Sequence, residues 1–547
     1  GKFFRIEDLD AKFVSDYVNV ESYGAFAGRF VKNAYDSALT EKDPTLDVDL
    51  SVLLKQEGKA FKIEKHVHNY PHCWRTDKPI LYYPLDSWFI RTTAIKDKLI
   101  ALNKTINWKP EATGSGRFGN WLENLVDWNL SRSRYWGTPL PIWRTEDGKE
   151  EICISSVEML SNEIEKSIAA GFMTENPYKN HKDYDSFDLH RPYIDNVILV
   201  SPNGEKMFRE SDLIDVWFDS GAMPYAQVHY PFECNDEQFK ACFPADFIAE
   251  GVDQTRGWFF TLHAIAALCF DTIAFKNVVS NGLVLDKVGN KMSKRLGNAV
   301  DPFEVLQTYG PDATRWYMIT NTQPWENLKF DQAGIDEVRR KFFGTLYNTY
   351  SFFALYANID GFAYKEADIE YSKRPEIDRW ILSELNTLIE YCDKSYSEYE
   401  PTRAGRAIAD FVDGYLSNWY VRLCRRRFWK GEYTDDKISA YQTLYTCLET
   451  LARLAAPIAP FFCDRLFNDL NNVSGRFEFD TVHACDFPVA NKELVDKDLE
   501  SRMQMAQKIC SLVLSLRKRN NLKVRQPLSK IMIPAKDAVQ QSHIEAV

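Results

Sequence analysis

The spacing of apolar positions divides this chain near residue 330. Before that point, short apolar stretches are broken by turns. Lys276 to Leu285 alternates apolar and polar residues in strand fashion, and Lys287–Asn290 reads as a turn. Asp246-Phe-Ile-Ala-Glu250 reads as a short buried strand, followed by a glycine-bearing turn and the apolar run Phe259–Phe270. Asp301-Pro302 has the form of a helix start, the acid at the cap and the proline at the first helical position. From Ala245 to about Gln323 this strand–helix–strand order predicts the second half of a Rossmann-like parallel sheet. Nearer the start, Tyr17–Val20 reads as extended and Ala27–Ala38 as helical, while Asn176–Asp185 is polar and turn-rich.

After Asn327 the period changes to that of a helix. Ile377, Trp380, Ile381, Leu385, Leu388 and Ile389 share one helical face behind Pro375. Ile408, Phe411, Val412, Tyr415, Leu416, Trp419 and Leu423 form a second face, Leu444, Leu448, Leu451 and Leu454 a third. A fourth runs through Leu499, Met503, Ala506, Ile509, Val513 and Leu516. Four or five such helices predict an antiparallel bundle. The expected fold class is therefore an α/β Rossmann-like core followed by an all-α bundle.

Length and composition narrow the function. At 547 residues, 45% hydrophobic and 14% aromatic, the chain should hold three or more domains with sizeable cores. The net charge of −11 argues against a general nucleic-acid coat, so RNA contact would have to come from local basic patches. Eleven cysteines without a C-x-x-C pair indicate neither a disulfide framework nor a zinc ribbon, a pattern that fits a reducing cytoplasm. No signal peptide opens the chain, and its longest apolar run is too short to span a bilayer, so no membrane partner is expected. The chain opens at Gly1 inside what reads as folded sequence, which suggests a fragment.

Candidate chemistry gathers in three places. Lys291, Lys294 and Arg295 crowd three cations into a loop with Met292 and Ser293, flanked by Gly289 and Gly297. Flexible ammonium donors of this kind suit a polyphosphate, although a solvated basic turn has the same composition. Glu250, Asp253 and Gln254 surround Gly251 at a strand end, offering acceptors and an amide at one rim; an ordinary capped turn would look similar. Arg422, Arg425, Arg426, Arg427 and Lys430 interleave with Trp419, Phe428 and Trp429, and a second basic cluster spans Arg517 to Lys530. These fit phosphate neutralisation and base stacking, or solvated helix faces with the rings turned inward.

Other signals carry less. Gly114-Ser-Gly-Arg-Phe-Gly119 matches G-x-G-x-x-G, but no hydrophobic strand is evident before it and no dinucleotide is expected. His66, His68, His72 and Cys73 are followed by Thr76 where a second cysteine would complete a zinc site, so no metal ligands are assigned.

Residues 290–300 resemble the KMSKS signature of the class I aminoacyl-tRNA synthetases, with Arg295 in the last position. Glu250-Gly-Val-Asp-Gln-Thr-Arg-Gly-Trp258 is similar to the E-G-x-D-Q-x-R-G-W motif of the same family. The resemblance implies that the loop closes over ATP phosphates, with Lys291 and Lys294 as the catalytic cations and Met292, Ser293 and Arg295 beside them. It further implies that Glu250, Gly251, Asp253 and Gln254 hold the ribose and carbonyl side of an aminoacyl-adenylate. By the same resemblance Asn281 takes the position where many relatives carry a histidine near the adenine, a departure from the family pattern.

Four stretches look isoleucyl within the family. They are Tyr70-Pro-His-Cys-Trp-Arg75, Asp86-Ser-Trp-Phe-Ile-Arg91, Asp127-Trp-Asn-Leu-Ser-Arg-Ser-Arg-Tyr-Trp-Gly-Thr-Pro-Leu-Pro-Ile-Trp143 and Asp215-Val-Trp-Phe-Asp-Ser-Gly221. By that resemblance Trp217 and Trp258 wall the amino-acid pocket, and flat rings of this kind make a dry, rigid slot. Such a slot cannot strongly reject a side chain one methylene shorter, so a separate editing site is expected.

The implied cofactors are ATP and Mg2+, without zinc, and the implied partners are L-isoleucine and its accepting tRNA, held by Arg425, Arg426, Arg427 and Trp429. A cytoplasmic monomer is expected. The implied divisions are 1–85 and 86–245 for the editing insertion's trailing part and the catalytic portion with its insertion. Next come 246–330 for the second half of the core, 331–370 for a stem, 371–530 for the anticodon-binding bundle and 531–547 for the start of a C-terminal region. No H-I-G-H signature and no threonine-rich editing segment occur, and family order puts both ahead of Gly1. The chain alone is therefore expected to have little activating power. A valyl or leucyl type, or a piece that only binds RNA, remain the alternatives.

Overall fold

The computed structural model describes residue 26 and residues 28–40, 42–73, 76–81, 85–293 and 297–546. These fall into two compact units, the described parts of Gly1–Arg91 with Asp127–Val216, and of Thr92–Val126 with Trp217–Val547.

The first unit is built on a four-stranded antiparallel sheet in the order Glu151–Cys153, Ile142–Thr145, Lys206–Arg209, Leu199–Val200. Helix Val157–Ala169 covers it, started by the Ser156 hydroxyl, which accepts from the Met159 amide. Leu160 and Ile164 of that helix share a core with Trp143, Leu199 and Met207. Trp143 is fully buried and donates its indole N–H to the Val197 carbonyl at 2.9 Å, so its one polar atom is satisfied. Asn176–Asp185 is a string of turns, as its composition suggests. The helix expected over Ala27–Ala38 does not form: among its described residues only Asn33–Tyr35 makes a single tight turn. Too few apolar side chains there have a core to face. Tyr17–Val20 lies outside the described residues.

The second unit holds a parallel sheet of β1 (Asn107–Lys109), β2 (Ala245–Gly251) and β3 (Phe275–Asn281), in the order β2-β3-β1. Helix α1 (Trp258–Phe270) crosses from β2 to β3, and its run Phe259–Ala267 is entirely buried. An all-round apolar helix of this kind belongs inside the fold, which is why its sequence lacks an amphipathic stripe. Strand β2 departs from its expected burial. It lies at the sheet's end with Phe247 44% exposed, and that ring stacks on Tyr399 at 4.8 Å and 4°. A strand also precedes Gly114, contrary to expectation, because β1 is only three residues long and two of them are polar. Gly114 packs directly on β1, where an added Cβ would lie 2.2 Å from the Trp108 ring.

Beyond the sheet, β4 (Val284–Leu285) pairs in parallel with β5 (Leu328–Lys329). Helix α2 (Pro302–Tyr309) follows, with the Asp301 carboxylate accepting from the Phe303 amide at 2.8 Å as the sequence predicts. The bundle then forms from α3 (Glu376–Ser397), a continuous helical run Pro401–Asp410, Phe411–Val421 and Arg422–Trp429, α4 (Asp435–Ala455), helix Pro460–Ser474, and α5 (Lys497–Arg519). Trp380, Ile381, Leu385, Leu388 and Ile389 are buried as their spacing requires. The stripe on α5 is only half used: Leu499 is buried, whereas Leu516 is 57% exposed. No helix among the described residues is long and apolar enough to cross a membrane.

Candidate functional site

The parallel register brings two predicted site positions side by side. Gly251 pairs with Asn281 and Glu250 with Ser280 at the carboxyl ends of β2 and β3. In open α/β sheets this end is where ligands meet the backbone. Glu250 is exposed there and Asn281 half-buried. Gly282, immediately after, has its backbone against the Glu326 carbonyl; a Cβ would fall 2.3 Å from that oxygen. The close crossing fixes where the chain leaves β3.

The turn after β2 is locked by its own side chains. Gln254 accepts from the Trp258 backbone amide at 3.0 Å and donates to Asp253 at 3.1 Å, so it caps α1 while its neighbour orients it. Buried Thr255 donates to the Val252 carbonyl and accepts from Arg117 Nε, each at 2.9 Å. Gly257 leaves the space these groups fill: a Cβ would stand 2.7 Å from Gln254 Oε1 and 3.2 Å from the Trp217 ring. Trp217, 40% exposed, is thus brought to the amino end of α1, where Trp258 donates its indole N–H to the Ser220 carbonyl at 3.0 Å. The two predicted pocket tryptophans therefore sit at the same helix end as Asp253 and Gln254. Gly221 completes the packing, since a Cβ would lie 3.0 Å from both Thr261 and Ile265.

The basic loop has an organiser that the sequence reading did not name. Asp286 accepts from the Val288 amide at 3.1 Å, the Asn290 amide at 2.8 Å and the Asn298 side chain at 3.1 Å. Those bonds, the Asn290 amide foremost, hold its carboxyl below the usual carboxylate range. Asn298 ties the loop's far side by accepting from the Ser293 amide at 2.9 Å and donating to the Lys291 carbonyl at 3.3 Å. Lys291 bridges back to Leu285 and its side chain is exposed; Met292 and Ser293 are half-buried. Lys294 and Arg295 lie outside the described residues. The signal for Asp286 was present as an acid two to four residues before a glycine-bearing turn, the usual setting for Asx bonds to backbone amides.

The arginine cluster on the bundle divides. Arg425, Arg426 and Trp429 are exposed. Arg427 turns inward, donating to both oxygens of fully buried Asp378 at 2.6 and 2.9 Å and pairing with Asp436. Burial works against its charge, but the Asp378 bonds prevail and raise its pKa further. Tyr420 and Ser439 donate to the same carboxylate at 2.8 and 2.6 Å. Arg517 in the second cluster is likewise engaged, donating to the Lys523 and Gln526 carbonyls at 2.9 and 2.8 Å. Among the described residues no group of three His, Cys, Asp or Glu side chains could hold a metal ion.

Comparison with known proteins agrees with this layout. Residues 12–331 match the family described as tRNA synthetases class I (I, L, M and V), and residues 378–532 match the anticodon-binding domain of tRNA ligases. A protein named isoleucine--tRNA ligase from Bacteroides fragilis is 67% identical across 100% of this chain and 49% of its own length. One of the same name from Clostridium novyi is 47% identical over 94% of this chain and 47% of its own. The chain thus spans about half the length of the curated relatives it matches. Among solved structures, Mycobacterium tuberculosis methionyl-tRNA synthetase in complex with methionyl-adenylate superposes with a TM-score of 0.52. That match, at 19% identity, covers 75% of this chain and 68% of the other, and it bears on the fold alone. With a family match over more than half its length, the chain belongs to the class I tRNA synthetases of the I, L, M and V group.

Proposed function

We propose that this chain carries part of an isoleucine--tRNA ligase: half of the site that joins L-isoleucine to ATP, and the bundle that holds the accepting tRNA. The observation that carries the reading is the pairing of Gly251 with Asn281 at the strand ends, with the turn 252–257 on one side and the Asp286-braced loop after β4 on the other. The 67% identity to a relative named isoleucine--tRNA ligase supports the choice of amino acid.

In this reading an isoleucine carboxylate oxygen attacks the ATP α-phosphorus. The bond to the bridging oxygen breaks and pyrophosphate leaves, and a ribose hydroxyl of the tRNA then takes the aminoacyl group from AMP. The chain's groups act by placement and charge. Glu250 accepts from ribose hydroxyls, and Asn281 faces the base. The Gly251 backbone lets the nucleotide approach, while the Asp253–Gln254 pair keeps the rim in one arrangement. Lys291, with Lys294, Arg295 and the flanking Met292 and Ser293, takes up charge on the departing pyrophosphate. Trp217 and Trp258 shape the apolar slot. Mg2+ bound to the phosphates would screen their charge, with the nucleotide's own oxygens as its main ligands. Arg425, Arg426 and Trp429 contact the tRNA, and Arg427 supports them from inside.

Calorimetric titration of a non-hydrolysable isoleucyl-adenylate analogue into the 547-residue chain tests this. Binding tighter than that of the valyl analogue, and lost in Trp258→Ala, is the expected result. Equal binding of both analogues, or none, would overturn the assignment of the pocket.

A further inference from the structure

The first unit leaves two adjacent aromatic rings in solvent and then fixes what stacks on them. Tyr135 is 62% and Trp136 67% exposed. His190 lies parallel to Trp136 with centroids 4.5 Å apart and planes 12° from one another. The Arg191 guanidinium stands 5.4 Å from the Tyr135 ring centre. Neither partner is loose. His190 Nδ1 meets Asp188 Oδ1 at 2.8 Å, and the same oxygen accepts the His190 backbone amide at 2.7 Å. Arg191 donates Nε to Asp195 at 2.7 Å and reaches the Arg134 carbonyl at 3.3 Å. Asp195 is itself held by Arg209, whose side chain is 1% exposed.

This is an expensive arrangement for folding alone. Burial of either ring would stabilise the unit, whereas carboxylates here hold a histidine and an arginine so that two large rings stay rigid in water. Rigid exposed aromatics beside guanidinium groups are what unpaired nucleobases stack upon, and every base has a face to offer. The nearby charges are largely engaged already, Arg191 and Arg209 by Asp195, and Asp188 by His190. Stacking would therefore contribute more than counterion release, and a double helix, whose bases are already stacked, has little to gain.

We propose that Tyr135 and Trp136, held by His190 and Arg191, form a stacking platform for unpaired nucleotides of an RNA strand. Under the proposed function that strand is part of the tRNA, but the platform and its test do not depend on the adenylate site.

The test is fluorescence anisotropy of a labelled single-stranded RNA octamer titrated with the full chain. Trp136→Ala is expected to weaken binding about tenfold, within the range for loss of one stacked base, and Trp136→Phe to restore most of it. Arg425→Ala/Arg426→Ala should leave this Trp136-dependent difference in place, which separates the platform from the bundle. A Trp136→Ala protein with native circular dichroism and affinity within twofold of the parent would overturn the proposal. So would equally good competition by a duplex of the same sequence. Failure of the isoleucyl-adenylate analogue to bind would leave this result untouched.

Discussion

Replacing Arg427 by leucine should destabilise the bundle rather than merely weaken an RNA contact. Asp378 is completely buried and has two of its four bonds from Arg427. Tyr420 and Ser439 can still donate to it, but neither carries charge. Removing one partner of a buried ion pair costs about 3–5 kcal/mol, because the remaining charge stays desolvated. For a domain the size of this bundle each kcal/mol moves the midpoint by roughly 2–4 °C, so the transition should fall by about 10 °C. Arg425→Leu, two residues earlier in the same cluster but exposed on the other side of the helix, should move it by no more than about 2 °C. Thermal unfolding followed by circular dichroism reads the shift, and amide exchange in α3 and α4 shows whether the loss is local to Asp378. Asp378→Asn combined with Arg427→Leu should recover part of the stability, since no buried charge is then left unpaired and Asp436 stays in solvent. If Arg427→Leu costs no more than Arg425→Leu, the reading of this arginine as an internal support is wrong.

Three further outcomes are expected. Glu384, half-buried against Trp380 and near Glu500, has its carboxyl raised to about 7 from 4.5, burial being the larger cause. The folded state therefore holds a proton that the unfolded chain has already lost, and bundle stability should fall as pH rises from about 4.5 to 7, by on the order of 2 kcal/mol. Glu384→Gln should flatten that slope in urea titrations at several pH values; an unchanged slope would refute the assignment. His263 behaves oppositely: complete burial lowers it to about 4, although its ring bonds the Leu99 carbonyl at 2.9 Å. Its neutral form is fully stabilising above about 6.5, and on the order of 3 kcal/mol should be lost as pH falls from there to about 4, a dependence that His263→Leu removes. Gly257→Ala places a methyl group 2.7 Å from Gln254 Oε1 and should weaken isoleucyl-adenylate analogue binding about tenfold in calorimetry, whereas unchanged affinity would show that Gln254 can shift freely.

Local periodicity revealed most of the helical half, because a bundle buries one face of each helix and the pattern survives in the sequence. It overreached at the end of α5, where Ile509 and Val513 are only half-buried and Leu516 is 57% exposed. The strand half was legible where alternation met a glycine turn, as at β3, and misleading where position in the sheet decides burial, as at β2. Site motifs singled out Glu250, Asp253, Gln254 and Lys291, but not Asp286 and Asn298, which brace the loop. Those two act through backbone amides that a list of side-chain chemistries does not display. The three consecutive arginines show the same limit: sequence makes them equivalent, and only the helix phase sends Arg427 to Asp378.

The contacts of the bundle with the sheet bear on how such proteins can be recombined. Phe247 on β2 stacks on Tyr399, and Lys109 at the end of β1 pairs with Glu400 at 3.1 Å, so the corner after α3 rests on two strands of the sheet. Trp316 and Tyr317, which precede the bundle in the chain, share one continuous core with Trp380 and Tyr420. A chimera spliced between 331 and 375, where the sequence invites a cut, would split that core and swap one side of both contacts. A transplantable cassette has to begin before Pro302 and carry compatible residues at 109 and 247, which makes the mechanical unit of inheritance longer than the helical domain it delivers.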